Sequence, residues 1–299
     1  MDIREWALLI FTTLGQISTG SLIVLMLVRA FVARNTGADQ VNRLTDVPLY
    51  YVVPIMLLAL IASLFHLGSP LHIARAVPNL GSSWVSREVI TAVVYVIVAG
   101  IYTLMQWRKS GSEVARTVVG WIAALIGLFQ TYAMARVYMI RTQPSWNTFA
   151  TPITFITASL LLGVLLVAAI LVATRSADDT EQTNLLRGTL RNIAVAAIVL
   201  VGIEFVVLPV YVVYLSTQGP AALESLSVMI GRLGGLLVLR LIFVFLGAGV
   251  LSFYLYKNAS AEGKEKTLAT VAYSAFILAL VGEAMGRYIF YAARTHIGL

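Results

Sequence analysis

The sequence has 299 residues, of which 59% are hydrophobic and only 12% are charged, and its mean hydropathy is +0.88. Soluble domains are about 45–50% apolar, so this composition excludes an ordinary soluble protein and predicts an integral membrane protein in a lipid bilayer. The formal net charge is +7, but no Lys/Arg tract or stacking platform accompanies it. We therefore expect no nucleic-acid partner and assign the excess charge to loops at the cytoplasmic face.

The sequence contains no cysteine, which excludes disulfides, thiolate-ligated iron–sulfur clusters and cysteine nucleophiles within this chain. The histidines are His66, His72 and His296, and all three are predicted at span ends or in a loop. A haem held by two imidazoles needs both to face each other inside a bundle. We therefore predict that the chain itself binds no haem, no iron–sulfur cluster and no metal ion.

Long apolar segments recur along the chain. A membrane span needs about 20 apolar residues, and such segments lie at 6–33, 46–67, 85–107, 115–141, 149–174, 190–215, 230–256 and 267–293. They predict an all-α integral membrane protein with eight transmembrane helices, because a helix pairs its own backbone groups in lipid. Residues 1–5 lack the basic region of a signal peptide, so the first span is expected to remain in the mature protein.

The spans are predicted to form a single membrane domain over residues 1–299. The acidic and polar stretch 176–183 is a candidate seam between two four-helix halves, 1–175 and 184–299. The alternative interpretation is a solvated loop, because no clear internal repeat supports two copies of one unit.

Basic residues are concentrated in alternate connections between spans. Twelve of the 21 Lys and Arg residues, including every lysine, lie in or beside the connections that follow spans one, three, five and seven. The positive-inside rule places these connections in the cytoplasm. Both termini are therefore predicted on the periplasmic side.

The end of the second span and the start of the third bring two protonatable side chains to one side of the membrane. Gly68 and Pro70 stop the second helix just after His66, and Glu88 lies in the first turns of the third span. On their own, such a histidine is more often a packing residue and such a glutamate a partner of the helix dipole. Because one span ends where the next begins, we predict that His66 and Glu88 share one site.

The other ionisable residues within spans also lie in the outer half of the membrane: Arg136 and Tyr138 in the fourth span, Glu204 in the sixth, Arg240 in the seventh, and Glu283 and Arg287 in the eighth. Such groups are costly in lipid unless they are paired or hydrated, so their common depth predicts a polar cavity that opens outward. Glu283 and Arg287 are four residues apart, the spacing of an ion pair within one helix. Glu204 and Arg240 are a candidate pair between helices.

Uncharged polar and aromatic residues of the spans have structural interpretations. Gln16 and Gln130 are expected to form hydrogen bonds between helices. Several aromatic residues near helix ends fit the belt at a membrane interface: Trp84, Trp146, Tyr138 and Tyr288.

The sequence resembles the membrane anchor subunit of bacterial dimethyl sulfoxide reductases, a branch of the wider polysulfide-reductase-like family of quinone-reactive subunits. The matching residues span nearly the whole chain in order: Glu5-Trp6 through Phe11-Thr12, Gly15-Gln16, His66-Leu67-Gly68-Ser69-Pro70, Asn79, Ser86, Glu88, Arg136-Val137-Tyr138, Pro144-Ser145-Trp146, Thr151-Pro152, Gly282-Glu283, Gly286-Arg287 and Phe290-Tyr291. Each block is weak by itself, and together they are fairly specific.

This resemblance implies a subunit of the bacterial cytoplasmic (inner) membrane that binds and oxidises menaquinol near the periplasmic face. It implies two partners: a four-cluster iron–sulfur subunit that receives the electrons, and a molybdopterin subunit that catalyses the terminal reduction. In that family the positions of His66 and Glu88 are associated with the quinol site, so we expect these two to be catalytic. We add a set of quinol-binding or supporting residues: Arg87, Gln16, Ser69, Arg136, Tyr138, Glu283 and Arg287.

Three alternatives remain open from the residues alone. Eight helices with charges inside the membrane also suit an ion-coupled secondary transporter. A second possibility is a purely structural anchor for a catalytic subunit. A third keeps the quinone pocket but reverses the electron flow, so that a partner dehydrogenase reduces quinone.

Overall fold

The computed structural model describes residues 3–34, 36–65, 78–174, 180–260 and 265–295. Within these ranges the chain forms ten α-helices and two π-helical segments, with no strand. The α-helices are α1 (Ile3–Val32), α2 (Ala38–Leu64), α3 (Trp84–Arg108), α4 (Glu113–Tyr138), α5 (Ala150–Ala173), α6 (Thr180–Ser216), α7 (Pro220–Ser227), α8 (Gly234–Val244), α9 (Ser252–Asn258) and α10 (Glu265–Ala292). The π-helical segments are Val228–Arg232 and Phe245–Leu251.

In the described part of the chain, eight helical segments are long and apolar enough to cross a membrane. Seven are α1 to α6 and α10, and the eighth is the continuous run of α8, the second π-helical segment and α9. The prediction of an all-α protein with eight spanning helices is confirmed.

The structure corrects several predicted boundaries. α2 ends at Leu64, and its first turns extend back to Ala38, before the apolar run. Helix α6 begins at Thr180, so the last part of the predicted seam is helical, while residues 175–179 lie outside the described ranges. The division into two four-helix halves stays a prediction.

The seventh span is not the uniform helix that we predicted. It changes to π-helical hydrogen bonding at Phe245–Leu251, where Gly247 packs against α10. A Cβ atom on Gly247 would lie 2.7 Å from the carbonyl oxygen of Ala275. A π-helical turn re-aims the helix locally, and the apolar pattern of the sequence does not reveal it.

The bundle is organised around a very close crossing of α1 and α5. A Cβ atom on Gly20 would lie 1.8 Å from the carbonyl oxygen of Ser159, and one on Gly163 would lie 2.3 Å from the carbonyl carbon of Gly20. The Ser159 hydroxyl donates to the carbonyl oxygen of Gln16 at 2.9 Å. Small residues let membrane helices approach closely enough for such contacts, and this crossing fixes the position of Gln16.

The two ends of the bundle differ in character. We call the end where α1 begins and α10 ends the terminal face, and the opposite end the basic face. On the terminal face the rings of Trp6 and Tyr288 are 6.3 Å apart. On the basic face the buried Arg29 donates to Asn42 at 2.7 Å, and its guanidinium lies 3.6 Å from Asp46. Which face is periplasmic stays a prediction.

The α1–α5 crossing predicts a strong difference between two glycine substitutions. Gly163→Ala is expected to destabilise the protein by about 1–3 kcal/mol or more, because the added methyl group overpacks against the backbone of α1. Gly100→Ala on α3 is the control, because a Cβ atom there meets nothing within 4 Å. It should be neutral or stabilising by about 0.5–1 kcal/mol. Unfolding in detergent would measure both, and equal stabilities would contradict the packing described here.

Candidate functional site

The candidate site lies on the terminal face, where α3 begins. The Ser83 hydroxyl caps this helix by accepting a hydrogen bond from the backbone N–H of Ser86 at 3.3 Å. Glu88 follows one turn later and is only 8% exposed. No described side chain hydrogen-bonds its carboxylate, which lies within electrostatic range of Tyr138 and Tyr291. A buried carboxylate of this kind inside a membrane span is a strong candidate for proton chemistry.

A pair of tyrosines stands beside Glu88 between α4 and α10. The hydroxyl groups of Tyr138 and Tyr291 are 2.9 Å apart, and that of Tyr291 is 3.3 Å from the hydroxyl of Thr12 on α1. All three residues are buried. They form a short chain of exchangeable hydroxyl protons that joins three helices.

The ring of Tyr138 is the centre of an aromatic cluster. Its centroid lies 5.4 Å from those of Trp146 and Phe290 and 5.6 Å from that of Phe155. The Trp146 indole N–H donates to the carbonyl oxygen of Phe290 at 2.7 Å. Tyr138 and Trp146 are 7% and 9% exposed, so our assignment of these two residues to an interfacial belt was wrong. They pack inside the bundle because their polar atoms find partners there.

Arg287 joins α10 to α1 and α5. Its Nη2 donates to the Oε1 atom of Gln16 at 3.0 Å, and its guanidinium lies 3.6 Å from the centroid of the Phe155 ring. The Nε2 atom of Gln16 in turn donates to the carbonyl oxygen of Phe155 at 3.0 Å. The predicted interhelical hydrogen bonding of Gln16 is confirmed, and a cation–π contact adds to it.

The predicted ion pair between Glu283 and Arg287 is not formed. Among the described residues, the cation within ion-pair distance of Glu283 is Arg240, at 3.4 Å. The same Nη2 atom of Arg240 lies 2.9 Å from Glu204, so the predicted pair between helices is confirmed. Arg287 instead donates to Gln16 on α1. The four-residue spacing did not decide its partner, because an ion pair at that spacing contributes only about 0.2–0.5 kcal/mol to an isolated helix.

Gly286 makes room for this arrangement. A Cβ atom on Gly286 would lie 2.4 Å from the Nε atom of Arg240. The guanidinium therefore passes over the surface of α10 to reach both carboxylates. Glu204, Arg240 and Glu283, which we call the charge triad, border a cavity of about 100 Å³ together with Arg287.

Arg87 and Arg136 lie at the edge of the site, and both contact the ring of Trp84. Their guanidinium carbons lie 4.3 and 4.8 Å from the centroid of Trp84. Arg87 also donates to the carbonyl oxygens of Leu80 and Gly81, at 2.8 and 2.7 Å. These contacts hold the segment before α3 in place, and a role of either arginine in quinol binding stays a prediction.

Two predicted site residues, His66 and Ser69, lie in the stretch 66–77, outside the described residues. α2 ends at Leu64, with Phe65 as its C-cap. The shared site of His66 and Glu88 stays a prediction. In the described ranges, no group of three His, Asp or Glu side chains is placed to hold a metal ion.

Three residues near Glu88 were missed as candidates for the site: Thr12, Tyr291 and Gln130. Gln130 was interpreted only as an interhelical hydrogen-bonding residue, and its Oε1 atom does accept from Thr91 on α3. Its Nε2 atom is buried without a partner among the residues that the structure describes. All three are uncharged, so the search for ionisable groups in lipid did not select them.

Comparison with known proteins decides the family. The sequence matches the family described as "DMSO reductase anchor subunit (DmsC)" over residues 1–293. The chain belongs to this family. It is 28% identical over 299 residues to a polypeptide of the anaerobic dimethyl sulfoxide reductase of Escherichia coli, in a match that covers 99% of this chain and 97% of the relative. It is 27% identical to the anaerobic dimethyl sulfoxide reductase polypeptide YnfH of the same organism, again over 99% and 97%, and 23% identical to an anaerobic dimethyl sulfoxide reductase polypeptide of Haemophilus influenzae, over 99% and 96%.

Membership of the DMSO reductase anchor family agrees with the eight apolar helices and makes this chain a multi-pass membrane protein of an oxidoreductase complex. The resemblance drawn from the sequence motifs is confirmed. Several residues of those motifs, among them Gln16, Tyr138 and Arg287, meet on the terminal face in one network.

The charge triad predicts unequal effects of two charge-removing substitutions. Arg240→Met should destabilise the protein by about 3–5 kcal/mol, because it leaves two buried carboxylates without a cation. Lys109→Met is the control. It removes the half-exposed cation that pairs with Asp46 on the basic face, so it should cost about 0–1 kcal/mol.

Denaturant titration of both variants in the same detergent would measure these values. Equal stabilities, or a larger loss for Lys109→Met, would contradict the prediction that the charge triad stabilises the fold more than the Lys109–Asp46 pair does.

Proposed function

We propose that this chain is the membrane anchor of a molybdenum-dependent reductase, that it oxidises menaquinol beside the terminal face, and that it passes the electrons directly to an iron–sulfur subunit. The observation that carries this proposal is Glu88, a carboxylate buried in a spanning helix without a hydrogen bond from any described side chain. The family membership supports the complex, and the position of Glu88 supports the place of the reaction.

The chemistry requires an acceptor for the hydroxyl protons of the quinol. Oxidation releases two protons and two electrons, and a carboxylate within hydrogen-bonding distance of a quinol hydroxyl would accept a proton as a general base. His66 would serve the second hydroxyl, because the ordinary pKa of an imidazole, about 6.5, suits reversible protonation near neutral pH. Glu88 lies close to the beginning of α3, so the distance for the proton to the water beyond the terminal face is short.

The surroundings of Glu88 suit a flat aromatic substrate. The hydroxyl groups of Tyr138 and Tyr291 supply polar contacts, and the apolar residues of the neighbouring spans would hold the ring system. The isoprenoid tail would lie in lipid. Arg87 and Arg136, held against Trp84, would fix the mouth of the pocket.

The partners follow from where the electrons must go. The chain has no cysteine to hold an iron–sulfur cluster, so in this proposal the electrons leave the quinol for a cluster of the partner. That transfer requires the partner to dock on the terminal face, close to Glu88. We propose a four-cluster iron–sulfur subunit there, a molybdopterin subunit beyond it, and a periplasmic location for both the face and the termini.

Glu88→Gln tests the proposal most directly. It keeps the shape and the hydrogen-bonding capacity of the side chain but cannot accept a proton. Oxidation of a menaquinol analogue by the assembled complex should fall about 10²-fold or more. Glu113→Gln, at an exposed position in the first turn of α4, is the control and should leave the rate unchanged.

Assembly must be measured on the same preparations by co-purification of the partner subunits, and the reductase by an artificial electron donor that bypasses the quinol. An intact complex of Glu88→Gln with an unchanged rate of quinol oxidation would refute the proposal and favour a purely structural anchor. His66→Ala, assayed in the same way, tests the second proposed proton acceptor.

Tyr138→Phe tests the neighbouring tyrosine pair. The substitution keeps the aromatic packing and removes a single hydroxyl, so the rate of quinol oxidation should fall by about two- to tenfold, the value of one hydrogen bond. Tyr273→Phe on α10 is the control, because Tyr273 is 43% exposed, away from the site. Equal rates for the two variants would show that the Tyr138 hydroxyl does not support the quinol site.

A further inference from the structure

A second polar region lies in the later part of the bundle, apart from Glu88. It is the cavity of about 100 Å³ that borders the charge triad, and it is lined by residues of α5, α6, α7, α8 and α10, of the first π-helical segment and of the segment between α4 and α5. Its ionisable lining consists of Glu204, Tyr211, Arg240, Glu283 and Arg287. The proposed reaction of Glu88 uses none of them.

Four buried polar atoms that belong to residues lining this cavity have no hydrogen-bond partner in the described ranges. They are the hydroxyl oxygens of Ser145 and Ser225, the Oε1 atom of Glu204 and the Nε atom of Arg240. The residues Ser145, Ser225 and Glu204 are 3%, 1% and 6% exposed. A buried polar group without a partner costs several kcal/mol in an apolar medium (about 2–7), and four of them around one space indicate that something fills it.

The size and the chemistry of the cavity select water as the occupant. A water molecule takes up about 30 Å³ in the liquid, so about three fit into this volume. Water both donates and accepts, and it can therefore satisfy the Ser145 and Ser225 hydroxyl groups, the Glu204 oxygen and the Arg240 N–H together. A cation would be repelled by Arg240 and Arg287, and an anion by Glu204 and Glu283.

The charge triad itself leaves a site for a proton. One Nη2 atom of Arg240 contacts Oε2 of Glu204 and Oε1 of Glu283, at 2.9 and 3.4 Å. Two carboxylates are thus held close together on a single nitrogen atom, and like charges at such a distance favour protonation of one of them. Oε1 of Glu204 is buried and has no hydrogen-bond partner among the described residues, whereas Oε2 accepts from Arg240.

We propose that this cavity is an internal hydration site whose water molecules deliver protons to and from Glu204. In the binding step a hydronium ion gives one proton to the Glu204 carboxylate, which leaves a neutral carboxyl group and a water molecule. Ser145, in the segment between α4 and α5 on the terminal face, is the lining residue past which these protons would reach bulk water. The inference concerns a proton-binding site distinct from Glu88, and it does not depend on where quinol binds.

Infrared difference spectroscopy of the purified complex tests this without quinol or any electron donor. The experiment follows the C=O stretch of neutral carboxyl groups during a pH titration, first in H2O and then after exchange into D2O. We expect a titrating band that shifts in D2O and that is lost in Glu204→Gln. Glu224→Gln is the control: Glu224 is an exposed carboxylate on α7, beside Ser225, and its removal should leave the band unchanged.

A band that persists in Glu204→Gln would overturn the inference, because the titrating carboxyl group would then not be Glu204. A band that fails to shift in D2O would also overturn it, because the carboxyl group would then not exchange its proton with water. If the complex with Glu204→Gln does not assemble, the infrared spectrum of Glu283→Gln provides a second test. Removal of the neighbouring charge should change the frequency or the titration of the band, and an unchanged band would contradict the shared site. A failure of the quinol proposal would appear in the Glu88→Gln rate and would leave these spectra untouched.

Discussion

Polar groups inside the hydrocarbon layer have to find their partners within the protein, because the lipid offers none. The hydrogen bond from Arg287 to Gln16 shows how this constraint shapes the structure. It ties α10 to α1, and through the carbonyl oxygen of Phe155 it reaches α5 as well. The tyrosine pair and the charge triad both lie within electrostatic range of Arg287. If Arg287 had turned from Gln16 to Glu283, the buried Oε1 atom of Gln16 would have lost this donor.

The architecture was largely predictable from the sequence, because the membrane leaves few options. A long apolar segment has to become a helix, and eight such segments give eight spans. What composition does not encode is the local departure from a regular helix. The π-helical turn at Phe245–Leu251 depends on how closely Gly247 packs against α10, which is a tertiary contact. Likewise the close approach of Gly20 and Gly163 is not visible as a periodic pattern.

The charged residues of the site could be predicted from the sequence, and the uncharged ones could not. Glu88, Glu204 and Arg240 stand out because ionisable residues are rare in spans. The structure pairs Glu204 with Arg240 and buries Glu88 near the tyrosine pair. The pairing within α10 was wrong because the rule of four-residue spacing describes an isolated helix. In the bundle, partners on other helices are nearer to the desolvated guanidinium. Tyr291 carries no charge in water and no unusual spacing, so only its contact with Tyr138 reveals it.

The position of Arg287 has a consequence for how the two polar regions act on each other. Its guanidinium lies within electrostatic range both of Tyr138 and Tyr291 and of Glu204 and Glu283. Between these groups lie helices and aromatic rings rather than bulk water, so screening is weak and charges interact over longer distances than at a surface. The tyrosine pair and the two carboxylates of the charge triad are therefore influenced by the same fixed cation. An electrostatic interaction through Arg287 requires no continuous chain of proton carriers between the proposed quinol site and the proposed hydration site.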